Sequence, residues 1–239
     1  MFFFFRPSTI TIDFFTDMPH AFHHAKPIPA IESIPPWWRQ LPKNKPDFGG
    51  DLKSMRYCPG FTNLYKRGFV IPLWSDLLLS IAGTSSGDYE YKYQFADLHG
   101  SLEAHQPNQW GDFYRPDTYQ NIKLVNPWMA KTKSKEPFLM TDLTYSRNTQ
   151  NQFFVANGVL DFHQYITPNV HLFFIRTAST KEHFLKHGEP LAHVIPLSDK
   201  KVKIKTHLIE TEEKLNMEKY AHMRLKFVNN YNYLKRMIK

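Results

Sequence analysis

The chain has 239 residues, 42% hydrophobic and 15% aromatic, with 10 glycines, 17 prolines and a formal net charge of +8. That is enough apolar material for one generous domain with a sizeable core, and it excludes a flexible or low-complexity chain. The one cysteine, Cys58, excludes an internal disulfide framework and fits a reducing compartment.

The opening Met1-Phe2-Phe3-Phe4-Phe5-Arg6-Pro7 has the apolar start of a signal peptide but no basic residue ahead of it. It is also far shorter than the ~18 residues that a membrane span needs. The expectation is therefore a chain that is neither secreted by signal peptide nor membrane-spanning. Thr9 to Phe14 alternates like a strand, so Phe2, Phe3, Phe4 and Phe5 are expected to continue a β segment that is either buried or covered by a partner. Residues 1–26 read as one or two strands ending in His20, His23 and His24. From Lys26 to Gly50 six prolines predict an extended arm, interrupted by a short helix over Pro36 to Leu41. Its adjacent Trp37 and Trp38 are expected to face opposite ways, one plugging the core and one a neighbouring surface.

Arg56 to Ile81 is the stretch around which the rest is arranged. Pro59 sits where a first helical turn loses nothing by lacking an N–H. Tyr57, Phe61, Leu64 and Tyr65 share one predicted helical face near 59–67, and Gly68 is the left-handed stop. Phe69 to Leu73 and Asp76 to Ile81 then read as buried strand. Cys58 is expected to be a small core residue. Tyr89 to Phe95 alternates aromatic with polar, as a half-buried antiparallel strand does. Residues 97–121 read as a long aromatic loop. Strands are predicted at 122–130, 137–145, 152–162, 170–177, 190–197 and 201–209, with turn residues between them and almost no helix. Short strands at this spacing imply an antiparallel β-sandwich or jelly-roll, not βαβ units.

The end of the chain differs. From Glu212 onward Met217, Tyr220, Ala221, Phe227, Val228, Tyr231, Leu234 and Ile238 recur at helical spacing, with Thr211 as N-cap. A helix of about 25 residues is about 38 Å long and exceeds one sheet face. Residues 200–239 hold eleven Lys or Arg against four Glu, a balance of +7 that leaves +1 for the other 199 residues. The charge is thus expected to reside in the tail. The domain expectation is residues 1–50 as strand plus proline arm, 51–209 as the β-sandwich, and 210–239 as a basic amphipathic helix.

Ile34-Pro35-Pro36-Trp37-Trp38-Arg39-Gln40-Leu41-Pro42 resembles the P-x-W-(aromatic)-K/R-x-x-P element of a family of uncharacterised tailed-bacteriophage proteins. Arg56 to Phe61, Gly68 to Asp76, Asn126-Pro127-Trp128, Gly158-Val159-Leu160-Asp161 and Gly188-Glu189-Pro190 through Ile195-Pro196-Leu197 are similar to later motifs of that family, in the same order. The resemblance implies viral origin, a β-rich fold, and a place in the virion or the host-cell cytoplasm. It implies no activity, cofactor or catalytic residue. His163 stands where the family pattern has a second acid, and His193 where it often has Gln.

Twelve histidines invite a metal reading. His20, His23 and His24 can offer two ligands from one turn. His187-Gly188-Glu189 with His207 has facial-triad spacing but lies at a turn, and no arginine is placed for an oxoacid cosubstrate. Asp161 and His163 with His171 or His193 fit better and would hold Fe or Zn. Asp142, Asp161 and Glu189 are candidates for an acid pair, and no phosphate loop or nucleophile motif is present. The leading expectation is a structural or protein-interaction protein without a cofactor, bound to other protein subunits in an oligomer or larger assembly. Its contact residues are Phe2 to Phe5, Trp37, Trp38, Arg224, Tyr231, Lys235 and Arg236, and nucleic acid is a further partner for the basic helix. The alternative is a jelly-roll metal-dependent enzyme of the cupin or 2-oxoglutarate-oxygenase type.

Overall fold

The computed structural model describes residues 9–42, 44–45, 52–82, 91–96, 100–105, 109, 119–143, 145, 153–175, 177 and 179–237. Its elements are, in chain order, β1 (Thr9–Thr16), α1 (Pro19–His24), β2 (Ile28–Pro29), α2 (Pro36–Gln40), β3 (Asn44–Lys45), β4 (Leu52–Lys53), α3 (Pro59–Tyr65), β5 (Phe69–Pro72), β6 (Leu77–Ile81), β7 (Tyr91–Phe95) and β8 (Ser101–Glu103). There follow β9 (Tyr119–Val125), β10 (Met129–Thr132), β11 (Phe138–Asp142), β12 (Phe153–Val155), β13 (Gly158–Leu160), β14 (Val170–Ile175), β15 (Lys181–Leu185), β16 (Pro190–Pro196), β17 (Lys201–Leu208) and α4 (Thr211–Met237). The fold is mainly β, as the spacing of short strands predicts.

Four sheets line one core. The largest is ordered β13-β11-β16-β5-β2, flanked by β12-β14-β9-β8, β15-β6-β7 and β10-β1-β17. Pairing in the first three is antiparallel. In the last, β1 runs antiparallel to β10 but parallel to β17, in register from Thr9–Lys201 to Thr16–Leu208. The two ends of the domain are thus joined side by side.

Strand β5 is buried at every position, which is why Phe-Val-Ile-Pro reads as an unbroken apolar run. Phe69 and Ile71 enter the main core beside Phe14, Phe138 and Phe162, with rings meeting edge-on or tilted. Val70 points to the opposite face, into a second cluster with Trp38, Phe61, Tyr65 and Leu143. Helices α2 and α3 therefore cap the outside of the largest sheet. At Leu73 to Asp76 the chain leaves that sheet for β6, and the turn between β15 and β16 makes the matching corner. Leu73 N donates to Glu189 O, Gly188 N to Leu73 O, each at 2.8 Å, and His187 N to Asp76 Oδ1 at 2.6 Å. Strands that change sheets at such a corner close the core.

Local chemistry explains most departures from the sequence reading. His20, His23 and His24 lie on helix α1, not at a strand end; Pro19 opens it and its last turn is basic. The expected strand 122–130 is two strands, because Asn126-Pro127 turns the chain. Asn126 Oδ1 accepts from Trp128 N at 3.0 Å, and Trp128 Nε1 donates to Ala25 O at 3.0 Å. The stretch 152–162 is likewise split between β12 and β13, and β8 lies within the expected loop 97–121. Tyr57 is exposed, not part of the buried face of α3, because that segment is a separate 3-10 turn over Met55–Tyr57. Cys58 is half-buried at the margin of the second cluster and not within a core as expected, because it stands at the N-cap of α3.

Candidate functional site

The C-terminal element stands on a defined footing. Ile209 N donates to Thr16 O at 2.9 Å, so β17 hands the chain to α4 beside the end of β1. Lys214 Nζ donates to Asp17 Oδ1 at 2.7 Å, with both side chains largely buried. Burial pushes the Asp17 carboxyl up, but the hydrogen bond and charge of Lys214, with a hydrogen bond from Thr211, outweigh it and hold it below the ordinary value. Thr211 thus serves the footing as well as starting the helix. The ion pair is present above pH 4 and is lost as Asp17 protonates in stronger acid. Lys214→Ala leaves Asp17 buried without its cation and is expected to cost about 1–2 kcal/mol. Amide exchange should rise over residues 211–217 and stay unchanged in β5 and β16.

Beyond that footing the helix offers apolar side chains to solvent: Leu215 is 48% exposed, Tyr220 53% and Met223 63%. An amphipathic helix packed on its own sheet would bury these. A groove of about 530 Å³ runs between the helix and Tyr165, lined also by Glu210, Glu212, Glu213, Asn216, Met217 and Tyr220. At 27 residues the helix is about 40 Å long. Arg224, Tyr231, Lys235 and Arg236 fall on it, with side chains outside the described residues. Phe2, Phe3, Phe4 and Phe5 lie outside them altogether.

The two tryptophans of the arm divide as their adjacency predicts. Trp38 is 9% exposed, stacks on Phe61 at 5.2 Å and donates from Nε1 to Met55 O at 3.2 Å. Trp37 is 44% exposed, with Nε1 bonded to Tyr145 O at 2.8 Å and its ring edge-on to Phe61 at 6.0 Å. Both indoles pin the arm to its own domain, and only one face of Trp37 is left for a partner.

The metal candidates do not assemble. His193 is fully buried on β16, its Nε2 at 2.7 Å from Arg67 O and its ring stacked on Tyr65. Burial lowers its pKa and the bond to Arg67 partly opposes that. Asp161 is exposed and its Oδ1 accepts from His163 N at 2.9 Å, an Asx turn that its position after β13 explains. His207 pairs with Asp13 at 2.9 Å and stacks on Phe15. Glu189 Oε2 accepts from Lys186 N, closing the β15–β16 turn. Folding does bring His187 against His20, 5.5 Å between ring centroids, with His24 5.1 Å from His20. Among the described residues, however, no three His, Cys, Asp or Glu side chains form a group able to hold a metal.

The positive charge also divides differently from the sequence expectation. Lys201, Lys203 and Lys205 project from the exposed face of β17, so a large part of the basic tail belongs to a sheet and not to the helix. The signal was the period-two Lys-Val-Lys-Ile-Lys within a segment correctly read as strand. No helix among the described residues is long and apolar enough to cross a membrane. No family model matches the chain, and neither does any curated protein or solved structure.

Proposed function

We propose that the protein is a structural or protein-contact component, of tailed-phage origin as the family resemblance implies, working in the virion or in a complex with other subunits. The observation that carries this reading is helix α4, anchored through Lys214 and Asp17 while Leu215, Tyr220 and Met223 stay in solvent. Exposed apolar side chains on an anchored helix gain free energy when a second surface removes them from water, at roughly 25 cal/mol per Å². The exposed face of Trp37 is a secondary contact.

Deletion of residues 212–239 tests the reading. The truncated chain is expected to keep a cooperative thermal transition within a few degrees of the full chain, because none of the described side chains that it loses belongs to either core cluster. Affinity capture from phage-infected cells is expected to recover a protein subunit with the full chain and not with the truncated one. Unfolding of the truncated chain would make the helix part of the core and end the docking idea. Capture that is unaffected by truncation would move the contact elsewhere.

A further inference from the structure

The sheet β10-β1-β17 has two unlike faces. Ile10, Ile12 and Phe14 of β1 enter the core with Val202 and Ile204 of β17 packed against them. The alternate residues face outward, and register decides what they meet. Asp13 lies between Lys131 of β10 and Lys205 of β17, and Thr11 lies beside Lys203. Lys201, Lys203 and Lys205 are exposed, and Lys133, just past β10, is exposed as well. The rows are about 10 Å across from β10 to β17, and Lys201 to Lys205 spans about 13 Å along the strand.

Five ammonium groups therefore share one face with a single carboxylate of the central strand, Asp13, whose Oδ1 lies 2.9 Å from His207 Nε2. Edge protection accounts for a lysine or so on each outer strand; five on one face go beyond it. Two aromatic rings lie among them. Phe15, on the central strand, is half-buried and stacked on His207 at 4.9 Å, and Tyr165 sits 6.0 Å from Phe15 with Lys131 Nζ 4.0 Å over its ring. Double-helical nucleic acid presents its bases edge-on in grooves. An exposed sheet with central aromatics flanked by lysines suits instead a single strand, whose bases can stack on the rings while phosphates meet the ammonium groups.

We infer that the outer face of β10-β1-β17 binds single-stranded nucleic acid without sequence preference, through Lys131, Lys133, Lys201, Lys203 and Lys205 with Phe15 and Tyr165 as base platforms. The lysines of this site lie on the sheet, while Tyr165 also borders the groove along α4, where Glu210, Glu212 and Glu213 lie.

The test uses the full chain and a fluorescein-labelled 20-nucleotide oligo-dT, followed by anisotropy between 50 and 200 mM salt. Five phosphate contacts predict a log–log salt slope of about −3.5. The pair Lys203→Glu with Lys205→Glu is expected to weaken binding at least tenfold and to flatten the slope by about 1.4. The control pair Lys92→Glu with Lys186→Glu makes the same change in net charge on β7 and in the turn after β15, and should change affinity less than twofold. All four lysines are exposed, so melting temperature should not move in either variant. Tyr165→Leu is expected to lose about tenfold for one stacked base. Equal loss in both lysine pairs, or none in either, would overturn the site. A matched duplex bound more tightly than the single strand would overturn the single-strand assignment. So would tighter binding to phosphatidylserine vesicles than to the oligonucleotide.

Discussion

Gly68→Ala is expected to cost about 3–5 kcal/mol, against about 1–2 kcal/mol for Gly188→Ala. Both glycines have positive φ, +69° and +77°, so both substitutions carry the left-handed penalty of a side chain. They differ in what surrounds them. A Cβ on Gly68 would lie 1.9 Å from the backbone oxygen of Val194, whereas one on Gly188 meets nothing within 4 Å. The neighbour at Gly68 is the central strand β16, whose His193 bonds Arg67 O, and Gly68 O itself accepts from Ala30 N at 3.2 Å. Relief of the clash would pull α3 away from the sheet and open the cluster around Trp38, Phe61 and Tyr65. Such a loss is a large share of the 5–15 kcal/mol typical of a domain. Urea unfolding of the two variants gives the comparison directly. Equal losses would show that conformation alone matters, and that the close approach of α3 to β16 does not.

That joint was the most legible part of the chain. Pro59 at a helix start, a glycine stop and an apolar run are local signals, and each is met by α3, Gly68 and β5. The double burial of β5 was visible as continuous apolarity. What surrounds the joint was less visible, because the deciding contacts are distant in sequence. Nothing local says that Thr9 to Thr16 will lie parallel to Lys201 to Leu208, yet that pairing turns a basic tail into a basic sheet face. The same distance hides Lys214 beside Asp17. The placement of the histidines was hidden for a related reason. Spacing can put two side chains on one face of a strand, but Asp161 is held in a turn and His193 faces α3 from a different strand.

Strand β15, one of those that the sequence reading does not predict, has its expected inside and outside exchanged. In Lys181-Glu182-His183-Phe184-Leu185 the phenylalanine is outside, 50% exposed, and the histidine is inside, 2% exposed. The adjacent Phe184 and Leu185 break the alternation by which a half-buried strand is recognised. The register with β6 settles it: His183 lies opposite Leu79 and Leu185 opposite Leu77, both of them core residues.

That inversion makes the protein acid-sensitive. Burial, with the charge of Lys181 added, lowers the His183 pKa to about 4, and its ring packs 4.6 Å from Phe174. Burial first, then the charges of His105 and Lys123 against an opposing Glu103, lowers His171 to about 4 as well. Below the unfolded value near 6.5 the unfolded chain takes up protons that the folded chain does not accept until about pH 4. The contribution of these two histidines is therefore full above pH 6.5, falls as pH drops from 6.5 to 4, and changes no further below that. His183 alone accounts for about 3 kcal/mol of the fall at most. Even neutral, its Nδ1 and Nε2 have no hydrogen-bond partner among the described residues. An apolar side chain of similar size should therefore do better at every pH. His183→Leu is expected to raise the melting temperature at pH 7.5 by about 2–6 °C and to gain further at pH 4.5. His183→Ala shares the loss of acid sensitivity but opens a cavity, so its neutral-pH stability should not exceed wild type. If His183→Leu melts lower than wild type at pH 7.5, or keeps the same loss between pH 6.5 and 4, the buried neutral histidine is not the source. The fall would then belong to His171 beside His105 and Lys123, where repulsion between cations adds to burial.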